Sequence, residues 1–330
     1  MTLLDERLDG LPQCDSAARD AVHERAANIL RPSGALAWLD EIAAWVAGWQ
    51  RTPEPRVENP AALIFAADHG IAAAAEVSAY PPGVTEAMFS AYQEGRSTIN
   101  AFARLAGASV TAIDVGIGKP TRDIRYEAAL SEERFDSIVR RAFEAVEQID
   151  CDLLVLGEMG IGNTTASAAI AASLAGGETA AWVGRGTGVD DEGLARKRAA
   201  VQESVRRIAG ITDPIEILRE VGGAEIAAIT AATVAARHRS IPVVLDGYVV
   251  TTAVLPLSMI EPSAIDHCTV GHCSAEPGHR KLLERLGKLP LLDLDMRLGE
   301  GSGAMAAVPL IAMACAGITD VPTFAEWFDE

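Results

Sequence analysis

Short apolar runs, each followed by a glycine-rich or polar turn and then an alanine-rich stretch of helical character, recur along residues 61–245. The runs are Ala61–Ala67, Ser109–Val115, Asp152–Leu156, Thr179–Val183 and Ile241–Leu245. Each suits a strand buried on both faces, and the helices between them would supply the crossovers that parallel strands require. The pattern predicts an α/β fold built on an open parallel sheet. Ligands of such sheets sit beyond the carboxyl ends of the strands, so the turns after these runs are where function is sought.

Ahead of the first run, Trp38, Leu39, Ile42, Trp45 and Val46 recur at helical spacing behind a Pro32-Ser33-Gly34 break. This predicts helices outside the sheet. Arg51–Pro60, with three prolines among polar residues, reads as a connector. Two runs, Met159–Gly177 and Gly301–Thr319, carry no charge, and about 20 residues suffice to cross a bilayer. The first contains Asn163, Thr164, Thr165 and Ser167, the second Ser302 and Pro309, and both are rich in Ala and Gly. They are therefore expected to be buried helices.

Composition narrows the partners. The 330 residues, 49% hydrophobic, allow a sizeable core. With 28 basic against 46 acidic residues, a net charge of -18 and a pI near 4.8, the surface repels phosphate backbones and anionic lipid. Neither nucleic acid nor a membrane is expected as a partner. A phosphate-bearing substrate would need a local exception built from backbone N–H groups and a few cations. The five cysteines are scattered and odd in number, and no apolar leader opens the chain, which points to the cytoplasm.

The turns differ in what they offer. Asp68-His69-Gly70, with Val77-Ser78-Ala79-Tyr80-Pro81-Pro82 beyond it, fits one wall of a pocket for a flat ring. It fits equally an ordinary turn with Asp68 as a helix cap. Gly157-Glu158-Met159-Gly160-Ile161-Gly162-Asn163 opens directly into a helix, where backbone N–H groups attract anions, with the Glu158 carboxylate among them. Gly184-Arg185-Gly186-Thr187-Gly188 precedes a helix carrying Lys197, placed to reach back to a phosphate; Asp190 and Asp191 are its candidate caps. Its spacing is neither a Walker loop nor the dinucleotide fingerprint. His267-Cys268-Thr269-Val270-Gly271-His272-Cys273 holds zinc-type ligands, but adjacent side chains diverge and no zinc spacing is present, so no metal is expected.

Finally, Glu300 is framed by Gly299, Gly301 and Gly303 between an apolar run and an Ala-rich helix. Glycines let a substrate approach the backbone, and apolar surroundings would lift the carboxyl toward a general base. A dipole-stabilised cap is the alternative.

Taken in order, several segments resemble the nicotinate-nucleotide:dimethylbenzimidazole phosphoribosyltransferase family. They include Ala67-Asp68-His69-Gly70, Val77–Pro81, Asp114-Val115-Gly116, Gly157–Thr165, Gly222-Gly223 with Glu225-Ile226, Pro242–Gly247, Ser274-Ala275-Glu276 and Met296–Gly303. The resemblance spans nearly the whole chain. It implies a homodimer with a Rossmann-like large domain, residues 59–311, and a small helical domain from both termini, residues 1–58 and 312–330. It also implies transfer of phosphoribose from nicotinate mononucleotide to 5,6-dimethylbenzimidazole. Carried onto this chain, Glu300 would be the general base and Glu158 would hold the ribose. Gly186, Thr187, Gly188 and Lys197 would bind the phosphate, with Gly160 and Ser274 nearby. Tyr80, Pro81 and Met88 fall where the accepting base is held. One departure is Pro32-Ser33-Gly34-Ala35 in place of the family's Pro-Pro-Gly-Ser.

That chemistry requires no metal or redox cofactor. The leaving pyridinium becomes neutral as it departs, while positive charge develops at the sugar carbon and a nearby carboxylate stabilises it. The attacking imidazole must lose its other proton, which is the task for Glu300. Transfer to another acceptor, such as adenine or a phenol, and a non-catalytic nucleotide-binding module are the competing readings.

Overall fold

A computed structural model describes residues 2–328. Residue 1 and residues 329–330, which belong to the helical segments expected at the two termini, lie outside the described residues. Six parallel strands form one sheet: β1 (Pro60–Ala67), β2 (Ser109–Gly116), β3 (Leu153–Met159), β4 (Val243–Leu245), β5 (Cys268–His272) and β6 (Pro290–Leu292), in the order β2-β1-β3-β4-β5-β6. The order reverses between β1 and β3. In open α/β sheets that reversal leaves a crevice beyond the strand ends.

Side chains alternate across the sheet and separate two cores. Leu63, Phe65, Leu154, Leu156, Val243 and Leu245 join one cluster with the helices Glu132–Gln148, Asn163–Ala175 and Ala224–His238. Ala62, Ile64, Val155 and Val244 face the other way, onto Ser16–Asn28, Trp38–Gln50, Thr98–Ala106 and Ser302–Thr319. Helices cover both faces, which is why the strand sequences are near-continuous apolar runs. The two chain ends meet on the second face. An antiparallel bridge joins Ile29 to Thr323, and Arg25 donates to Glu326 and to the carbonyls of Ile318 and Val321.

Three features depart from the sequence-based expectation. Thr179–Val183 is not a strand: Thr179–Trp182 is one turn of 3-10 helix. The Trp182 indole donates to the Gly176 carbonyl at 2.9 Å and plugs into the core, so its apolar character serves packing, and the sheet passes directly from β3 to β4. Two strands were missed. β5 interleaves polar and apolar residues, and β6 has three residues on a half-buried edge. The zinc-type residues of 267–273 lie on or beside β5, where neighbours alternate faces. His267 donates to the Thr233 carbonyl at 2.9 Å, whereas His272 stands 3.4 Å from Asp246.

Among the described residues, Ser302–Thr319 is the helix long and apolar enough to span a membrane. It packs against Trp38–Gln50, Thr98–Ala106 and β5. The other uncharged run forms the buried helix Asn163–Ala175.

Candidate active site

The reversal between β1 and β3 brings two carboxylates together. Glu158 is the penultimate residue of β3, opposite Phe65 of β1. Glu300 lies in the loop before Ser302–Thr319, and that loop presses against β3. A Cβ on Gly157 would stand 2.7 Å from the Gly301 nitrogen and 2.9 Å from the Glu300 carbonyl carbon, so only glycine admits this approach. Gly299, Glu300 and Gly301 all have positive φ, 80°, 64° and 79°. For Glu300 this left-handed backbone costs about 1–2 kcal/mol. The strain is held by Asp246 at the end of β4. Its carboxylate accepts from the Gly301 N–H at 3.0 Å and the Ala304 N–H at 2.8 Å, tying the loop to the helix start.

Both glutamates are buried, at 8% and 7% exposure. Burial raises the Glu158 carboxyl to about 8; Glu225 and Asp246 add to the rise, and the Asn163 amide, which donates to it, pulls the other way. Burial likewise raises Glu300 to about 7, opposed by the nearby Tyr92 hydroxyl and reinforced by Asp246. The phenol of Tyr92 is buried without a hydrogen-bond partner, and its own ionisation is pushed up by burial and then by Glu300 and Glu158. Tyr92 and Met88 lie on the helix Val84–Gln93 one turn apart and so share a face. That helix docks on the β3 turn, where the Ile161 N–H donates to Thr85 Oγ1 at 3.3 Å.

Consecutive residues at the start of the helix Asn163–Ala175 link these carboxylates to a cation. Asn163 holds Glu158, and Thr164 Oγ1 accepts from Lys197 Nζ at 2.9 Å. Lys197 is 1% exposed, and burial lowers its ammonium to about 8, partly offset by the charge of Glu276. The Gly184–Gly188 loop folds over it: a Cβ on Gly186 would come within 2.8 Å of Lys197 Nζ. Asp190 caps the lysine-bearing helix Asp191–Arg207, whereas Asp191 pairs with Arg185. Thr187 Oγ1 accepts from the Ala79 N–H at 3.1 Å, joining this loop to the Ser78–Pro81 segment. Glycine-rich backbone, a helix N-terminus and a buried lysine are together able to accommodate an anion.

The remaining sequence candidates fall around the same crevice. Gly160 follows β3; a Cβ there would stand 2.9 Å from Glu225 Oε1. Glu225 itself accepts from His69 Nε2 at 2.5 Å in a fully buried pair. Ser274 follows β5 and donates its N–H to His279 Nδ1 at 2.9 Å. Burial lowers His279 to about 3, so it is neutral; its Nε2–H faces Thr251 Oγ1 at 3.1 Å. Tyr80 and Pro81 lie on an exposed loop, with Tyr80 at 55% exposure, and Met88 is half-buried. Asp68 is not a helix cap. It accepts from the Gly118 N–H at 2.8 Å, and His69 precedes the short helix without a side-chain cap.

Sequence reasoning assigned no role to Asp246, Tyr92 or His279. Asp246 follows an apolar run and precedes Gly247, much as Asp68 follows one and stands two positions before Gly70. Tyr92 and His279 sit within ordinary helical patterns, where nothing local marks them.

A family model described as phosphoribosyltransferase matches residues 11–327. The chain is 47% identical over 317 residues to the nicotinate-nucleotide–dimethylbenzimidazole phosphoribosyltransferase of Methylocella silvestris, covering 96% of this chain and 92% of that protein. It is 45% identical over 319 residues to the protein of the same name from Cereibacter sphaeroides, covering 96% and 94%. A crystal structure of CobT from Thermus thermophilus superimposes with a TM-score of 0.90 at 38% identity, covering 94% of this chain and 98% of that one. The chain therefore belongs to the nicotinate-nucleotide:dimethylbenzimidazole phosphoribosyltransferase family.

Proposed function

We propose that this protein is a pentosyltransferase that moves 5-phosphoribose from nicotinate mononucleotide to 5,6-dimethylbenzimidazole, releasing nicotinate and forming α-ribazole 5′-phosphate, a step of cobalamin biosynthesis. One observation carries the reading: the buried carboxylate of Glu158, beside the Glu300 loop, and a buried lysine under a glycine loop are held by Asn163 and Thr164, adjacent residues of one helix start. The lysine end, with Gly186, Thr187 and Gly188, takes the phosphate; Gly160 and Ser274 border it. The ribose then lies over the helix start, with Glu158 beside it. Ionised, Glu158 stabilises the cationic sugar carbon as nicotinate leaves, and the arriving pyridinium favours that ionisation. Glu300, raised to about 7, accepts the proton that the imidazole loses on bonding. Met88, one turn from Tyr92, and Tyr80 and Pro81 on the loop above border the accepting base.

Product analysis tests this. Nicotinate mononucleotide with dimethylbenzimidazole is expected to give nicotinate and α-ribazole phosphate in equal amounts. Preference for adenine or a phenol would reassign the acceptor. Nucleotide binding without nicotinate release, even in a single turnover, would mean a non-catalytic module.

We also propose the organisation implied by the resemblance: a homodimer of chains, each with a large domain of residues 59–311 and a helical unit from residues 1–58 and 312–330. The open edge of the sheet supports a partner surface. β2 is half-exposed, and a concavity of 790 Å³ runs along it, lined by Thr111, Ile113, Arg140 and Arg141 among others. An unprotected strand edge invites pairing. Sedimentation at micromolar concentration is expected to give twice the chain mass. The unpaired thiols of all five cysteines fit a cytoplasmic location.

A further inference from the structure

The loop assigned to the phosphate already holds an anion of the protein's own. Glu276 Oε1 accepts from the Gly186 N–H at 2.9 Å, and Glu276 is the acid whose charge supports the buried Lys197 ammonium. Its second oxygen, Oε2, is buried and has no hydrogen-bond partner. That oxygen packs so closely on Gly184 that a Cβ there would overlap it. A carboxylate therefore occupies the cradle but satisfies only one of its two oxygens.

The position of Glu276 in its own helix makes this arrangement unusual. It is the residue before Pro277–Leu286, where an acidic side chain ordinarily accepts from the N–H groups of its own first turn. No such cap bond is present. The carboxylate instead reaches a loop 90 positions away in the chain. The uncapped helix start is a second place where it can rest.

We infer that Glu276 is a specificity-determining residue at the phosphate end: its carboxylate is a displaceable internal anion, and the substrate phosphate takes its place at the Gly186 N–H and beside Lys197. The inference rests on the phosphate reading given above. Phosphate brings more acceptor oxygens than a carboxylate and is the better partner for a donor cluster. Displaced, Glu276 swings to the start of its own helix. The resident carboxylate keeps the cradle neutral overall when empty and lowers apparent affinity for any anion by the fraction of molecules it occupies. A weak anion fails to displace it; a nucleotide, held also by its ribose and base, succeeds.

The test measures inhibition by orthophosphate, and separately by nicotinate riboside, which lacks the phosphate, against nicotinate mononucleotide. The parent, Glu276→Gln, Glu276→Asp and Lys197→Ala proteins are compared. Glu276→Gln is expected to tighten orthophosphate about tenfold, as removal of a competitor present nine-tenths of the time would. The constant for nicotinate riboside should not move. Glu276→Asp, one methylene shorter and poorly able to span the gap, is expected to tighten orthophosphate too, and serves if the glutamine variant fails to fold. Lys197→Ala should weaken orthophosphate. If both Glu276 variants leave orthophosphate binding unchanged or weaken it while Lys197→Ala weakens it, the cradle stands and the displaceable anion is refuted. If Lys197→Ala has no effect on orthophosphate, the phosphate site itself is misplaced and the inference falls with it.

Discussion

The two ends of the crevice solve opposite electrostatic problems with the same device, burial. At one end Glu158, Glu300, Asp246 and Glu225 crowd together, and desolvation lifts the two catalytic candidates to about 8 and about 7. At the other, desolvation brings Lys197 down to about 8. Carboxyl and ammonium are thereby brought within about a unit of each other near neutral pH. The acidic end is rigid: Asp246 pins the Glu300 loop through two backbone N–H groups. The cationic end is provisional, because its loop is closed by the singly bonded carboxylate of Glu276. The contrast teaches that the carboxylate proposed to handle the proton is held in place by its loop, whereas the loop proposed for the anion is closed by a single hydrogen bond.

The sharpest way to break the comparison is Glu300→Gln. Turnover at saturating substrate is expected to fall about a hundredfold to ten-thousandfold, the usual contribution of a general base, while nucleotide binding and, at pH 5, the melting profile change little. Glu158→Gln probes the cost of the acidic end. A carboxyl raised from 4.5 to about 8 binds its proton more tightly when folded, so its stabilising contribution is complete below pH 4.5 and is lost as pH rises through 8. Between pH 5 and pH 8.5 the parent should lose stability relative to the variant, by up to about 4 kcal/mol. Denaturant titrations at the two pH values measure it.

Lys197→Ala acts at the opposite end. Nucleotide affinity should drop about ten- to a hundredfold, from loss of a charge-assisted contact, and riboside affinity should hold. Titrating kcat/KM sharpens the contrast further. Activity should rise with pH as Glu300 loses its proton near 7 and Glu158 near 8, and fall as Lys197 loses its own near 8. Glu300→Gln should remove only the step near 7 from the acid limb and leave that of Glu158. The smallest effect belongs to Tyr92→Phe. Tyr92 opposes the rise of the Glu300 carboxyl, so its loss should move the acid limb upward by less than about one unit.

Much of the scaffold could be inferred because burial on both faces writes itself as unbroken apolar runs: β1, β3 and β4 announce themselves so, while β2, half-exposed at the sheet edge, mixes polar with apolar residues. β5 does not, since Thr269 and Gly271 interrupt it and its histidine and cysteine residues suggest another chemistry. Thr179–Val183 misleads for the converse reason: alanine and tryptophan are apolar without being committed to a strand, and Trp182 packs from a turn. In the site, glycines beside lone carboxylates flagged Glu158 and Glu300, because close backbone approach and positive φ leave a local signature. Tyr92 meets Glu300 across more than 200 residues of chain, and no local pattern encodes that meeting. The occupation of the Gly186 cradle by Glu276 is equally non-local.

The most direct test is single-turnover release of nicotinate by Glu300→Gln and Lys197→Ala, each followed across a range of nucleotide concentration with the base saturating. The glutamine variant is expected to stay slow at every concentration, and the alanine variant to approach the parent rate once nucleotide saturates. A Glu300→Gln protein that reaches the parent rate at saturation would contradict the division between a proton-handling end and an anion-holding end.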